Sequence, residues 1–181
     1  MSVFLGWVPD AAEQVALAAL QQGLRVALPA DAPHHQWRTP AQWHITLRYL
    51  GESIDDAQRT RIDAAMQAFA SQARVADASL VGARYWLHAN VLVAEVDASE
   101  ALEALLRQLE AAMDGCGFAS GRAQTAHVTL ARLPGRAGPA QQLPPMPVLS
   151  LRIDRVHLLR TVPGAYMSLA SWPLAGEPID A

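Results

Sequence analysis

The stretch that decides the fold is "AQWHITLRYLGE", Ala41–Glu52, which has a near copy in "TAHVTLARL", Thr125–Leu133. Each stretch sets His-x-Thr-Leu into apolar sequence, and the two histidines, His44 and His127, are 83 residues apart. With six histidines and six threonines in 181 residues, chance predicts roughly 0.2 His-x-Thr triplets. Two copies, both followed by leucine, therefore indicate a repeated functional element.

Both motifs have the composition of strands in which side chains alternate between two faces. Strict alternation places His44, Thr46 and Arg48 on one face of the first strand, and His127 and Thr129 on one face of the second. The opposite faces are apolar and suit a core. Burying the polar groups without partners would be costly. The polar faces are therefore predicted to line a cleft.

Two histidines across a cleft suit in-line displacement at phosphorus. A neutral imidazole accepts a proton from water while a protonated one donates to the leaving oxygen, and the ordinary pKa of histidine near 6.5 allows both roles. The threonine hydroxyls of the same motifs are placed to donate to phosphoryl oxygens and to stabilise the charge that develops there. Nothing in this scheme requires a metal.

Composition sets the broad class. A chain of 181 residues with 51% hydrophobic and 17% charged residues predicts one domain, or two small lobes that share a core. The net charge of −3 provides no overall field toward nucleic acid or a membrane, so contacts with phosphate must be local. The single cysteine, Cys116, and the lack of a long apolar run predict a cytoplasmic protein without a membrane segment.

The order of elements predicts an α+β protein with antiparallel sheets. It runs strand, helix, His-x-Thr strand, helix, hairpin, helix, His-x-Thr strand and hairpin. Ser53, with Asp56 three residues on, is the predicted cap of the second helix. The other predicted elements are a strand at Val3–Val8, a helix at Ala11–Gln22, a hairpin within Arg74–Asp97, a helix opening at "DASE", and closing strands at about 148–162 and 165–173.

"HITLRYLGE" and "HVTLAR" resemble the paired signatures of the two-histidine (2H) phosphoesterase superfamily. The segments "VFLGWVPD", "WRTPAQWHITLRYLGE" and "HLLRTVPGAYMSLASWPL" are similar to its RNA 2′,3′-cyclic phosphodiesterase branch, also called 2′-5′ RNA ligase. The resemblance covers nearly the whole chain. It implies a single domain over residues 1–181 of two intertwined lobes with pseudo-twofold symmetry, with mainly antiparallel sheets lining a central cleft and helices outside.

The resemblance also implies an activity. It is the hydrolysis of a terminal RNA 2′,3′-cyclic phosphate to a 2′-phosphate, without a metal or another cofactor. By motif position His44 would be the proton donor and His127 the proton acceptor that activates water. Thr46 and Thr129 would hold the phosphate.

Three further residues are candidates for substrate binding. By the same resemblance, Arg132 matches a basic position after the second motif and Tyr166 matches an aromatic position near the C-terminal strand. Strict alternation puts Arg132 on the face opposite His127, so it reaches the phosphate only if the strand ends or bulges near Ala131. Arg48 is either a cleft residue or an exposed charge on its strand.

The expected partners are RNA ends or nucleotides that carry a 2′,3′-cyclic phosphate, bound by a monomer. Alternatives are a related enzyme acting on a small nucleotide cyclic phosphate or a 2′-5′ linkage, and a nucleotide-binding module without turnover. Arginines in loops near the motifs are candidates for contacts to RNA backbone: Arg38, Arg122 and Arg136. The remaining histidines show no metal-ligand spacing and are predicted to be surface or structural residues: His34, His35, His88 and His157.

Overall fold

The structure is a computed structural model, and it describes residues 2–29, 32, 34–119, 125–134 and 143–176. The α+β class is confirmed, and the predicted helices and strands occur in the predicted order with two further strands among them. Within the described residues the elements are β1 Val3–Trp7, α1 Ala11–Ala27, β2 Gln36–Trp37, a short 3-10 helix Pro40–Gln42, β3 Ile45–Gly51, α2 Asp56–Ala70, β4 Ala76–Trp86, β5 Val91–Ala98, α3 Glu100–Gly115, β6 His127–Arg132, β7 Leu149–Ile153, β8 Arg155–Val162 and β9 Ala165–Pro173.

The strands form two antiparallel sheets. The sheet with the first motif, here called the His44 sheet, has the order β3-β1-β8-β9. The sheet with the second motif, the His127 sheet, has the order β2-β6-β5-β4-β7. In each sheet a strand leads through a helix to the antiparallel motif strand beside it, as β1-α1-β3 and as β5-α3-β6. This repeated path confirms the two-lobed pseudo-twofold fold.

The two sheets exchange strands. β2, which the sequence did not predict, precedes β3 in the chain but pairs with β6 of the His127 sheet. The single closing strand predicted over about 148–162 is wrong, because β7 belongs to the His127 sheet and β8 to the His44 sheet. Asp154 separates them, and the buried positions change phase there, from Leu151 and Ile153 to Val156 and Leu158. That phase shift is the sequence signal of the crossover.

Helix α1 is longer than predicted. It continues beyond Gln22 to Ala27 because Leu24 joins Leu17 and Leu20 on one buried face. Gly23 lies inside the helix and does not end it. Burial of Leu24 against the core stabilises the additional helical turn by more than the low helix propensity of a single glycine destabilises it.

The N-termini of the helices are fixed by side-chain caps. In α2 the cap is Asp55, which accepts from the backbone N–H of Gln58 at 2.7 Å while the Gln58 side chain accepts from the N–H of Asp55. The predicted cap, Ser53, is therefore wrong by two residues. In α3 the "DASE" prediction is confirmed, since Ser99 accepts from the N–H of Leu102 at 3.1 Å.

A single cluster of buried apolar side chains connects both sheets and the three α-helices. Trp43, directly before the first motif histidine, is 1% exposed and packs in this cluster. That the whole chain is one domain stays a prediction. No helix in the described part of the chain combines the length and the apolar character that crossing a membrane would require.

Candidate active site

A cleft of about 1000 Å³ lies between the two sheets. Its lining from the His44 sheet and the residues next to it comprises Ser2, Phe4, His44, Thr46, Tyr49, Thr161 and Tyr166. Its lining from the His127 sheet and the adjoining turn comprises Arg84, Trp86, His88, Glu95, Thr125, His127 and Arg132. Both motif histidines therefore lie in the same cleft, one on each wall.

The two imidazoles are held by the same backbone contact. Nδ1 of His44 donates to the carbonyl of Gln42 at 3.1 Å, and Nδ1 of His127 donates to the carbonyl of Thr125 at 2.9 Å. Since a carbonyl only accepts, each Nδ1 carries a hydrogen. In the neutral rings Nε2 is then the basic nitrogen, and it is the atom left for a ligand in the cleft.

Burial lowers the pKa of both histidines. The pKa of His44 falls to about 4, chiefly because burial disfavours the charged ring and further because His127 and Arg38 add positive charge nearby. The pKa of His127 is also lowered by burial. Burial therefore favours the neutral form of both rings. An anion bound between them would favour the charged ring and raise both pKa values.

Each imidazole lies beside an aromatic ring from another strand. The ring centroid of His44 lies 4.2 Å from that of Tyr166 on β9 and 5.1 Å from that of Phe4 on β1. Trp86 lies 4.3 Å from His127. Tyr166 thus reaches the cleft, as the resemblance implied. Trp86 was missed, because its place beside His127 depends on β4 and β6 flanking β5.

A β-bulge interrupts both motif strands at the same point. Along β3 the pairing with β1 steps from Thr46 to Arg48, and along β6 the pairing with β5 steps from Thr129 to Ala131. One extra residue is inserted in each case, so the alternation of faces shifts by one. The residue that returns to the cleft is then the fifth after the histidine instead of the fourth.

The prediction that Arg48 shares the cleft face with His44 is wrong, and the bulge is the reason. Arg48 is 8% exposed and lies on the far side of β3. Its guanidinium donates to the carbonyls of Tyr49 and Ala119, each at 2.6 Å, and lies 2.6 Å from a carboxylate oxygen of Glu110 on α3. It is neither a cleft residue nor an exposed charge.

The equivalent bulge in β6 brings Arg132 into the cleft. This is the bulge near Ala131 that Arg132 was predicted to need in order to reach the phosphate. Arg38 lies near Arg132. Burial, and then the positive charge of Arg132, lower the pKa of the Arg38 guanidinium. In the described part of the chain neither guanidinium has an ion-pair partner. Thr46 lines the cleft, whereas Thr129 is half-buried and is not one of the lining residues. Tyr49, the fifth residue after His44, also lines the cleft and was missed.

The remaining arginines and histidines that the sequence singled out do not all lie in the cleft. Arg122 and Arg136 lie outside the described residues. His88, predicted to be structural, lines the cleft beside Trp86 at 6.0 Å. His35 contacts the hydroxyl of Tyr85 at 2.9 Å. Across residues 2–29, 32, 34–119, 125–134 and 143–176, no group of three His, Cys, Asp or Glu side chains could hold a metal ion.

Two pseudo-symmetric antiparallel sheets that each present a His-x-Thr strand to one cleft define the class of two-histidine phosphoesterases. The model of the 2′-5′ RNA ligase superfamily matches residues 8–165, and the chain belongs to that family. Membership in this superfamily supports phosphodiesterase-type activity. A search of curated protein sequences gave no match.

Solved structures show the same fold. TT0787 of Thermus thermophilus is 23% identical with a TM-score of 0.73, and the match covers 96% of this chain and 98% of that one. E. coli LigT complexed with 3′-AMP is 18% identical with a TM-score of 0.75, covering 97% and 98% of the two chains. A structure described as a phosphoesterase is 17% identical with a TM-score of 0.75, covering 97% and 99%.

Proposed function

We propose that the protein hydrolyses the 2′,3′-cyclic phosphate at the end of an RNA to a 2′-phosphate by paired histidine acid–base catalysis. The observation that carries the proposal is the arrangement of His44 and His127. Each ring lines the same cleft from opposite sheets, and each uses Nδ1 on the carbonyl two residues back, which leaves Nε2 for the substrate. This is the geometry that proton transfer on two sides of a phosphorus atom requires.

In the proposed reaction water attacks phosphorus on the His127 side, and Nε2 of His127 accepts its proton. The bond from phosphorus to the 3′-oxygen breaks, and Nε2 of protonated His44 donates a proton to that oxygen. The products are a 2′-phosphate and a free 3′-hydroxyl. Exchange of protons with solvent then restores both rings. A water oxygen and two protons enter the products, so the step balances.

The charges around the cleft support binding of a phosphate. Arg132 and Arg38 bring two guanidinium groups without carboxylate partners among the described residues to this region. Guanidinium groups suit the oxygens of phosphate. Thr46 adds a hydroxyl on the same face as His44. Thr129, two residues after His127, is the second hydroxyl proposed to hold the phosphate.

The low pKa of His44 indicates that bound substrate promotes protonation of this ring. A pKa of about 4 leaves His44 neutral at pH 7. The single negative charge of a cyclic phosphodiester between the rings favours the protonated form of one of them. The donor is therefore expected to be charged in the complex with substrate and not in the free protein.

Product analysis tests the proposal. Adenosine 2′,3′-cyclic phosphate, a short RNA with that end, and a 2′-5′ linked dinucleotide are each incubated with the protein in EDTA and separated by chromatography. The expected product is the 2′-phosphate, with faster turnover of the RNA than of the mononucleotide. A 3′-phosphate, or turnover that EDTA abolishes, would contradict the mechanism. Preference for the mononucleotide or for the 2′-5′ linkage would select a different substrate class within the same chemistry.

A further inference from the structure

The two motifs present different residues at the equivalent position after the bulge. In the His127 motif the fifth residue after the histidine is Arg132, and in the His44 motif it is Tyr49. Both bulges lie between the threonine and this residue, and both side chains line the cleft. The backbone thus delivers a side chain to the same place on each wall, once as a cation and once as an uncharged ring.

The side chain of Tyr49 is exposed at the cleft. Its side chain is 39% exposed, and within the described residues it makes no hydrogen bond or ring contact. The other large rings of the cleft, Phe4, Tyr166 and Trp86, all contact one of the two imidazoles. The face of the Tyr49 ring is therefore available to a ligand, and burying such a ring against a flat partner is favourable.

The charges of the two walls also differ. The charged residues that line the cleft, Arg84, Glu95 and Arg132, all come from the His127 sheet. The lining from the His44 sheet consists, apart from His44 itself, of hydroxyl-bearing and aromatic residues. A wall of that kind suits the uncharged part of a nucleotide, the ribose and base, better than a chain of phosphates.

In-line displacement fixes which wall the nucleoside faces. Water enters on the side of His127, so the leaving 3′-oxygen and the ribose that carries it lie on the side of His44. Resting on the proposed function, we propose that Tyr49 binds the terminal nucleoside of the substrate, with its ring stacked on the base. Tyr49 is then a specificity residue that favours a nucleoside cyclic phosphate over a bare sugar cyclic phosphate.

The test compares two substrates that differ only in the base. These are adenosine 2′,3′-cyclic phosphate and the 2′,3′-cyclic phosphate of methyl β-ribofuranoside. For Tyr49→Ala we expect kcat/KM to fall about 5- to 150-fold on the adenosine substrate, the range that one stacked base contributes. It should change little on the sugar. Tyr49→Phe should retain most of the preference, because the ring makes the contact.

Two variants serve as controls. Val81→Ala removes a side chain that is 44% exposed on β4, outside the cleft lining, and should leave both substrates unaffected. Trp86→Ala should lower kcat/KM for both substrates alike, because the Trp86 ring packs on His127. The inference is overturned if Tyr49→Ala lowers kcat/KM equally for both substrates, or lowers it for neither. It is also overturned if Trp86→Ala, and not Tyr49→Ala, abolishes the preference for the base.

Binding separates this inference from the proposed activity. Adenosine 2′-phosphate and inorganic phosphate are titrated by calorimetry into the wild type and Tyr49→Ala. Weaker binding of the nucleotide alone in the variant supports the base contact even if the wild type shows no turnover, in which case the proposed reaction fails and the subsite stands. Equal binding of the nucleotide by both proteins overturns the subsite, whatever the turnover.

Discussion

The two halves of the cleft share a backbone and differ in what they place on it. Each has a histidine tied to the carbonyl two residues back, a threonine, and a bulge. At the fourth position after the histidine one half has Arg48 and the other Ala131, and both are buried. At the fifth position Tyr49 and Arg132 both reach the cleft. The bulge, and not the identity of the side chain, decides which residue meets the substrate.

The largest effect should come from removing either imidazole. His44→Ala and His127→Ala are each expected to lower kcat by about 10²–10⁴-fold, the usual contribution of a general acid or base. The assay is hydrolysis of the cyclic phosphate, with circular dichroism to verify folding. His157→Ala removes a half-exposed histidine of β8 that does not line the cleft, and should retain activity. If one motif variant stayed fully active, the two halves would not be catalytic equivalents.

Two arginines, one from each half, should separate binding from stability. Arg132→Gln removes a charge from the cleft and is expected to lower kcat/KM by roughly 10- to 100-fold with little change in Tm, since a hydrogen bond to a charged group is worth about 1.5–3 kcal/mol. Arg48→Met removes the donor from the part-buried carbonyls of Tyr49 and Ala119 and from the buried carbonyl of Phe118. An unsatisfied buried carbonyl costs roughly 1–3 kcal/mol, so the variant should have a lower Tm.

Thermal unfolding and steady-state kinetics, measured on both arginine variants, give the comparison. KM of folded Arg48→Met should stay near that of the wild type at low temperature. The opposite pattern, with KM raised in Arg48→Met and Tm lowered in Arg132→Gln, would show that the bulge does not assign these residues as described.

The close approach of β1 to the first bulge can be tested at one glycine. A Cβ on Gly6 would lie 2.8 Å from the backbone carbonyl oxygen of Ile45, which cannot move aside without shifting β3. Gly6→Ala is therefore expected to lower the free energy of unfolding by roughly 1–3 kcal/mol, as overpacking does. Gly82→Ala is the matched control, because a Cβ there meets nothing within 4 Å. Urea unfolding that ranked Gly82→Ala as the more destabilised would contradict this packing.

The remaining prediction concerns the dependence of kcat/KM on pH. kcat/KM follows the small fraction of free protein that has His44 protonated and His127 neutral, and the pKa of each histidine lies below 6.5. The phosphodiester keeps its charge over this range, so kcat/KM should fall about tenfold per unit as the pH rises above 6.5. Arg38 lowers the pKa of His44, so Arg38→Gln should raise it and displace this limb to higher pH. A kcat/KM that is flat or rises from pH 6.5 to 8 would contradict the assignment of the donor.

The order of elements, the paired motif and the fold class were readable from the sequence because they depend on local patterns of apolar residues. The two bulges were not, since an extra residue in β3 or β6 is defined only against the partner strand. This is why neither of the two positions predicted for Arg48, in the cleft or exposed on its strand, is correct, and why Tyr49 was missed. Trp86 escaped for a similar reason, because sheet order alone places it beside His127. The roles of the site residues, the monomeric state, the cytoplasmic location and the independence from cofactors stay predictions.

The position of β1 in the middle of its sheet has a consequence for synthesis of the chain. Val3 pairs with Gly51 on one side and with Arg160 on the other. At about 5–20 residues per second, roughly 8–30 s pass between translation of β1 and that of β8. Throughout that interval "VFLGW" has an open apolar edge that can pair with another nascent chain. A fragment whose translation stops before Arg155 would therefore be prone to aggregate, because β1 is covered on that side only once β8 has been made.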